Sequence, residues 1–112
     1  MEQLNNAFTA LSDPTRRGIL ARLARGEATV SQLVDQFELT QPTISSHLKT
    51  LERAGLILRS RKAQTRPCTL NPKGLKAIDT WLQNFREVLE SNYLRLDALL
   101  GELKGKAPKA TK

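Results

Sequence analysis

The stretch at residues 40–49 is the part of the sequence best suited to binding chemistry. It runs Thr-Gln-Pro-Thr-Ile-Ser-Ser-His-Leu-Lys and contains no acidic residue. On a helix whose apolar positions face a core, the remaining amide, hydroxyl, imidazole and ammonium groups would face outward, where they can bond to base edges in the major groove of DNA. The candidate base-contacting residues are Gln41, Thr43, Ser45, Ser46, His47 and Lys49. A simpler alternative is that a helix start rich in Ser and Thr serves only as a cap.

Catalysis and metal binding find little support in the sequence. His47 is the single histidine and Cys68 the single cysteine, so one of each cannot build a metal site or an internal disulfide. No paired nucleophile and base and no Gly-rich phosphate loop is recognisable. We therefore expect no enzyme and no cofactor, and we interpret His47 as a polar surface or phosphate-contacting residue.

The elements around this stretch predict a helix-turn-helix. Ile44, Leu48 and Leu51 give the fourth helix one apolar face, and Gly55 is a typical left-handed terminator. Thr29 and three residues later Gln32 form a capping box for a third helix over about 30–37. Only residues 38–40 separate the two helices. We expect the apolar residues of the third helix to be buried, namely Val30, Leu33, Val34 and Phe37.

A basic hairpin is predicted directly after the fourth helix, from strands at about 56–61 and 66–70, with Pro67 at an unpaired position. Residues 41–74 carry seven Lys or Arg and one acidic residue. This segment therefore contributes most of the excess positive charge of the chain, whose formal net charge is +7. Long cationic side chains here can reach phosphates or a minor groove. The candidates are Arg59, Arg61, Lys62, Gln64 and Arg66. The alternative is an edge strand whose charges only oppose aggregation.

Two further helices are predicted before the motif, at about 4–11 and from Pro14 to about 25, with Asp13 as cap. Arg16 and Arg17 add possible contacts to the DNA backbone, or are ordinary surface charges. A last helix of about 72–102 carries apolar residues at spacings of three and four, which predicts a dimer interface helped by the first helix. The residues predicted at this dimer interface are Leu4, Phe8, Leu82, Phe85, Leu89, Asn92, Leu96 and Leu99. The alternative is an amphipathic helix folded onto its own domain.

The chain is expected to be mainly helical, with four helices, a two-stranded wing and a long last helix. We assign residues 1–103 to one DNA-binding and dimerisation domain and 104–112 to a disordered basic tail. The first residues have neither a basic leader nor an apolar run, and no stretch approaches the roughly 20 apolar residues of a membrane span. With a lone cysteine, this predicts a soluble protein of the reducing cytoplasm, with no membrane partner.

Two segments resemble the ArsR-type winged-helix repressors. They are Phe-Thr-Ala-Leu-Ser-Asp-Pro-Thr-Arg-Arg at residues 8–17, and Thr-Gln-Pro-Thr-Ile-Ser-Ser-His-Leu-Lys-Thr-Leu-Glu-Arg-Ala-Gly-Leu-Ile at 40–57. The resemblance covers about residues 4–103 and implies a dimer that represses transcription by binding double-stranded DNA at an inverted repeat. The resemblance does not indicate which inducer, if any, the protein senses.

The sequence departs from the metal-sensing members of that family. Thr29 and Ser31 stand where those members have a thiol pair, and the last helix has no histidine. The chain is therefore similar to the branch without metal ligands. Cys68 is interpreted as a small residue filling a strand position, with a redox switch across a dimer as the alternative.

A different class of function stays open at this point. A winged-helix module whose basic face binds an acidic protein would show the same charge pattern without any operator. Binding of duplex DNA at several salt concentrations separates the two, because phosphate contacts give a steep salt dependence.

Overall fold

The structure, a computed structural model, describes residues 2–61 and 65–105. The predicted order of elements is confirmed in these residues. It comprises α1 (Glu2–Leu11), α2 (Pro14–Leu23), α3 (Val30–Phe37), α4 (Gln41–Arg53), β1 (Ile57–Arg59), β2 (Cys68–Leu70) and α5 (Pro72–Gly105). Lys62 and Gln64, predicted to belong to the wing, and residues 106–112 of the predicted tail lie outside the described residues.

The helix starts follow from the capping residues that the sequence offers. The Asp13 side chain accepts a hydrogen bond from the backbone N–H of Arg16, and Pro14 occupies the first turn of α2. At α3 the capping box is complete, because Thr29 accepts from the Gln32 N–H while the Gln32 side chain accepts from the Thr29 N–H. Each bond satisfies an N–H that the helix leaves without an intrahelical partner.

The tight turn between α3 and α4 depends on one unusual backbone position. Glu38 ends α3 with a φ of 55°, in the left-handed region that a side chain rarely adopts. Thr40 then caps α4 by accepting from the Thr43 N–H at 3.3 Å. The predicted left-handed position of Gly55 after α4 is confirmed by its φ of 79°. Two predicted boundaries were inaccurate, since α2 ends at Leu23 rather than near 25 and α5 continues to Gly105 rather than 102.

The chain divides into two compact units, residues 1–78 and 79–112. The first unit holds the core, which buries Ile44, Leu48 and Leu51 of α4 as predicted. The prediction for α3 was too strong, because only Leu33 is fully buried while the other apolar residues of this helix pack half-buried at the edge of the core. The remaining core residues are Ala7, Ala10, Ile19, Leu23, Ala28, Ala54, Leu56, Ile57, Cys68 and Ile78.

The β-hairpin is shorter than the sequence indicates. β1 and β2 pair antiparallel over three residues each, with Arg59 opposite Cys68. Pro67 has no N–H to donate, although its carbonyl accepts from the Ser60 N–H at 2.9 Å. Arg66 before it has a φ of 42°, and β2 begins at Cys68. On its other side Cys68 exchanges two backbone hydrogen bonds with Ala28, at 2.8 and 3.2 Å. This bridge holds the start of α3 beside the base of the hairpin.

The second unit consists, in its described part, of residues 79–105 of α5. Most of its large apolar side chains are exposed, and the rings of Trp81 and Phe85 stack at 5.0 Å between centroids. Among residues 2–61 and 65–105, no helix combines the length and apolar character needed to cross a membrane.

Candidate nucleic-acid interface

The core fixes which side of α4 faces outward. Ile44, Leu48 and Leu51 lie on one face of the helix, so the residues between them are directed to the opposite side or to its two flanks. Of the six predicted base-contacting residues, four are exposed and Ser45 and His47 are half-buried. The exposed four are Gln41, Thr43, Ser46 and Lys49. The Thr43 hydroxyl also accepts a hydrogen bond from the Thr40 hydroxyl at 2.9 Å, which links it to the cap.

His47 lies on the flank of α4 that faces α2. Its Nδ1 is 3.3 Å from Nη1 of Arg16, and its Nε2 is 4.0 Å from a carboxylate oxygen of Asp13. With 18% of its side chain exposed, the imidazole is held among protein groups rather than projecting into solvent. Because arginine can only donate, Nδ1 must accept, which places the ring proton of neutral His47 on Nε2, toward Asp13.

The carboxylate of Asp13 is stabilised in its charged form. Its pKa lies below the ordinary value of 3.8, chiefly because the backbone N–H of Arg16 donates to it, with smaller contributions from the nearby side chains of His47 and Arg16. Asp13 therefore both caps α2 and contributes negative charge beside α4.

Arg16 and Arg17, predicted to contact the DNA backbone, are engaged at the end of α1. Arg16 donates from Nε to the Ala10 carbonyl at 2.7 Å and from Nη2 to the Thr9 carbonyl at 3.3 Å. Arg17 donates to the Leu11 carbonyl at 2.8 Å. These carbonyls have no partner within their helix, so the two arginines cap it. Arg17 remains exposed, whereas Arg16 as a whole is half-buried.

The described arginines of the hairpin differ in exposure. The side chain of Arg61 is 75% exposed, and its nearest carboxylate, that of Glu52, lies 3.8 Å away. An ion pair this exposed contributes little and leaves the cation available. Arg66 is exposed as well, while Arg59 is half-buried on the same face of β1 as Ile57.

Cys68 is fully buried, which fits the interpretation of a small residue filling a strand position. Burial raises the pKa of its thiol, and the positive charge of Arg59 opposes this rise. A buried, protonated thiol is a poor nucleophile, so the redox alternative gains no support from this environment. No three His, Cys, Asp or Glu side chains come together to hold a metal ion within the described ranges.

The residues predicted at the dimer interface fall in both units. In the first unit Leu4 and Phe8 are half-buried against its core. In the second, four of the predicted residues are between 41% and 53% exposed, while Leu89 and Asn92 are half-buried. The exposed four are Leu82, Phe85, Leu96 and Leu99. The Asn92 side-chain oxygen accepts a hydrogen bond from Arg95 on the same helix.

Residues 13–58, from the cap of α2 to the middle of β1, match the family model described as bacterial regulatory protein, ArsR family. The transcriptional repressor SdpR of Bacillus subtilis is 40% identical over 82 residues, which cover 73% of this chain and 91% of that protein. The chain belongs to the ArsR family. A regulator of Mycobacterium tuberculosis, Rv2034, is 36% identical over 92 residues, covering 82% of this ArsR-family chain and 86% of the relative.

Solved structures give the same result for the fold. The crystal structure of another ArsR family transcriptional regulator superposes with a TM-score of 0.72 and 40% identity, over 79% of this chain and 97% of that one. A homodimeric winged helix-turn-helix DNA-binding domain from Mycobacterium bovis has a TM-score of 0.64 at 22% identity, over 77% and 80% of the two chains, and supports the fold alone. This ArsR-family chain is therefore a DNA-binding transcription regulator with a winged helix-turn-helix, and not an enzyme.

Sequence reasoning missed two features of this site. The contact of His47 with Asp13 and Arg16 joins the two segments that carry the family resemblance, a pairing visible only when α2 and α4 meet. The position of Thr29 and Ser31 beside the hairpin depends on the Ala28–Cys68 bridge, which has no strong sequence signal. The capping box showed where α3 begins, but not what it lies against.

Proposed function

We propose that this protein is a homodimeric repressor that binds an inverted repeat in double-stranded DNA. The observation that carries the proposal is the exposed row of hydrogen-bonding side chains on α4, beside a hairpin whose arginines Arg61 and Arg66 are exposed. The outer side chains of α4 enter the major groove and select bases. The hairpin arginines contact phosphates and set affinity for any sequence.

We assign base contacts to Gln41, Thr43, Ser46 and Lys49, with Ser45 at the flank. His47 acts within the protein, where its contact with Arg16 and Asp13 sets the position of α4 against α2. Arg17, exposed at the end of α1, supplies a backbone contact. Lys62 and Gln64 extend the hairpin contacts.

Dimerisation through α5 is supported by the apolar side chains that residues 79–105 leave exposed. They recur at spacings of three and four, the pattern of helices that pack side by side. A second copy of the chain buries them, and Asn92 within the series sets the register. SdpR, a relative whose match covers 73% of this chain and 91% of its own length, is named as a repressor. This supports repression as the outcome of DNA binding.

We place the protein in the cytoplasm with its DNA, and we assign the basic tail to residues 106–112, after the end of α5 at Gly105. Metal ions do not regulate it, since Thr29 and Ser31 offer hydroxyls rather than thiolates.

Titration of labelled duplexes tests the proposal. The protein is titrated with a random duplex and with a duplex selected from a random pool, at several salt concentrations. The selected duplex should bind at least about 10³-fold more tightly, with a log–log salt slope of several units. If no selected duplex exceeds non-specific affinity, the basic face serves a protein partner instead.

A further inference from the structure

A cavity of about 620 Å³ opens between α3, α4 and the hairpin, all within the first unit. Two arginines, four hydroxyl-bearing residues, one amide and one valine line it, and none of these described lining residues is acidic. These residues are Thr29, Val30, Ser31, Gln41, Ser45, Arg59, Thr65 and Arg66. A cavity with two guanidinium groups and several hydrogen-bond donors suits an anion with several oxygens.

Arg59 is the residue that makes this cavity unusual. It shares the inward face of β1 with Ile57, which is fully buried, so a cation occupies a position where an apolar side chain is expected. Its Nε is buried and has no hydrogen-bond partner among the described parts of the chain, 2–61 and 65–105. A buried donor without an acceptor costs free energy, and a bound anion that accepts from it would remove this cost.

The surroundings of the cavity indicate which anion. Gln41 and Ser45 contribute part of the lining, and they lie on the outward side and flank of α4. Another part comes from the start of α3, which the Ala28–Cys68 bridge holds beside β2. In helix-turn-helix complexes the second helix lies in the major groove while the first helix crosses the sugar-phosphate backbone. The start of α3, the first helix of this motif, lines the cavity.

We propose that the cavity binds one phosphodiester group of the DNA backbone, held by Arg59 from inside and by Ser31 and Arg66 at the rim. The proposal rests on the proposed function and adds a fixed anchor to it. Exposed arginines such as Arg61 follow the backbone loosely, whereas a phosphate inside the cavity fixes the position of α4 along the groove. Arg59 is thus a positioning residue for base recognition.

The first test uses a random duplex, so that it does not depend on sequence specificity. Arg59→Gln should reduce the magnitude of the log–log salt slope by about one unit, the effect of one lost phosphate contact. Arg25→Gln removes the same charge from an exposed position after α2 and is the matched control. Its slope should match that of the wild type. Equal slopes for Arg59→Gln and wild type, or equal losses in both variants, would overturn the proposal.

A second measurement uses the unmodified protein and therefore does not depend on how well a variant folds. The side-chain Nε–H resonance of Arg59 should shift when a short duplex is added. Inorganic phosphate at constant ionic strength should give no saturable shift below about 10 mM, because one weak anion lacks the other DNA contacts. A shift that saturates at submillimolar phosphate would identify a small-anion site instead, and no shift with duplex would overturn the proposal.

A third measurement locates the phosphate. In a duplex selected by the wild type, single phosphates are replaced by neutral methylphosphonates. One position per half-site should weaken wild-type binding about tenfold and Arg59→Gln binding less than twofold. Absence of any position that depends on Arg59 contradicts the anchor. Failure to select any duplex contradicts the proposed function, while the first two measurements still decide the phosphate site.

Discussion

Replacing Gly74 with alanine should destabilise the protein, although the same change inside a helix usually stabilises. Gly74 is the third residue of α5, and a Cβ added there would lie 1.8 Å from the carbonyl oxygen of Gly55. Real Cβ atoms essentially never approach another heavy atom within 3.0 Å, so backbone must move. The oxygen has little freedom, because the Asn71 side chain donates to it at 2.9 Å and Gly55 is in the left-handed cap after α4.

The magnitude follows from two opposing effects. Overpacking typically costs about 1–3 kcal/mol, and the upper end applies here because the atom in the way belongs to the backbone. The helix propensity of alanine over glycine returns at most about 1 kcal/mol. We therefore expect a net loss of about 2 kcal/mol. Gly101→Ala in the same helix is the control, since nothing lies within 4 Å of its added Cβ, and it should gain up to about 1 kcal/mol.

Urea denaturation followed by circular dichroism measures both variants, at one protein concentration because self-association contributes to stability. The midpoint should fall for Gly74→Ala and rise for Gly101→Ala, with the slope m unchanged. If Gly74→Ala is as stable as the wild type or more stable, the close approach of α5 to the end of α4 is wrong.

Three further predictions concern charge, specificity and assembly. The lowered pKa of Asp13 means that its charged form adds stability above pH 3.8 that disappears as the pH falls through the folded pKa. Asp13→Asn keeps a capping oxygen but cannot be ionised. When the free energy of unfolding is measured from about pH 5 to about pH 2, the wild type should lose stability relative to this variant. Parallel pH curves for the two proteins would contradict this prediction. Gln41→Ala should change the preferred sequence and cost about 1–3 kcal/mol at one base pair, whereas Arg61→Ala should weaken all duplexes and reduce the salt slope by about one unit; uniform losses from both would refute this division. Leu96→Glu should give monomers in sedimentation that lose operator affinity, while Glu102→Gln, elsewhere on α5, should remain dimeric; a dimeric Leu96→Glu would remove that helix from the interface.

The fold was predictable because its signals are local. Caps at Asp13, Thr29 and Thr40 identify the starts of three helices, and each acts within three residues of its own position. The spacing of Ile44 and Leu48 similarly orients α4 without any knowledge of its neighbours. Helix termination by Gly55 follows from the conformational freedom of glycine.

The site was less predictable because its contacts join distant parts of the chain. His47 meets Arg16 across 31 positions, a contact that no local pattern in the sequence indicates. Arg59 resembles any other wing arginine in the sequence, and only the pairing of β1 with β2 directs it inward. The extent to which the apolar α3 residues are buried was also hard to predict, because it depends on how completely the core closes around them.

The central claim is that two copies of the chain bind two half-sites of an inverted repeat, and half-site spacing tests it most directly. A selected duplex is compared with one in which about 5 base pairs are inserted between the half-sites, which turns them to opposite sides of the helix. The proposal predicts two chains per duplex on the original site and a fall to non-specific affinity on the altered one. Equal affinity for both spacings, or full affinity of one chain for a single half-site, would contradict it.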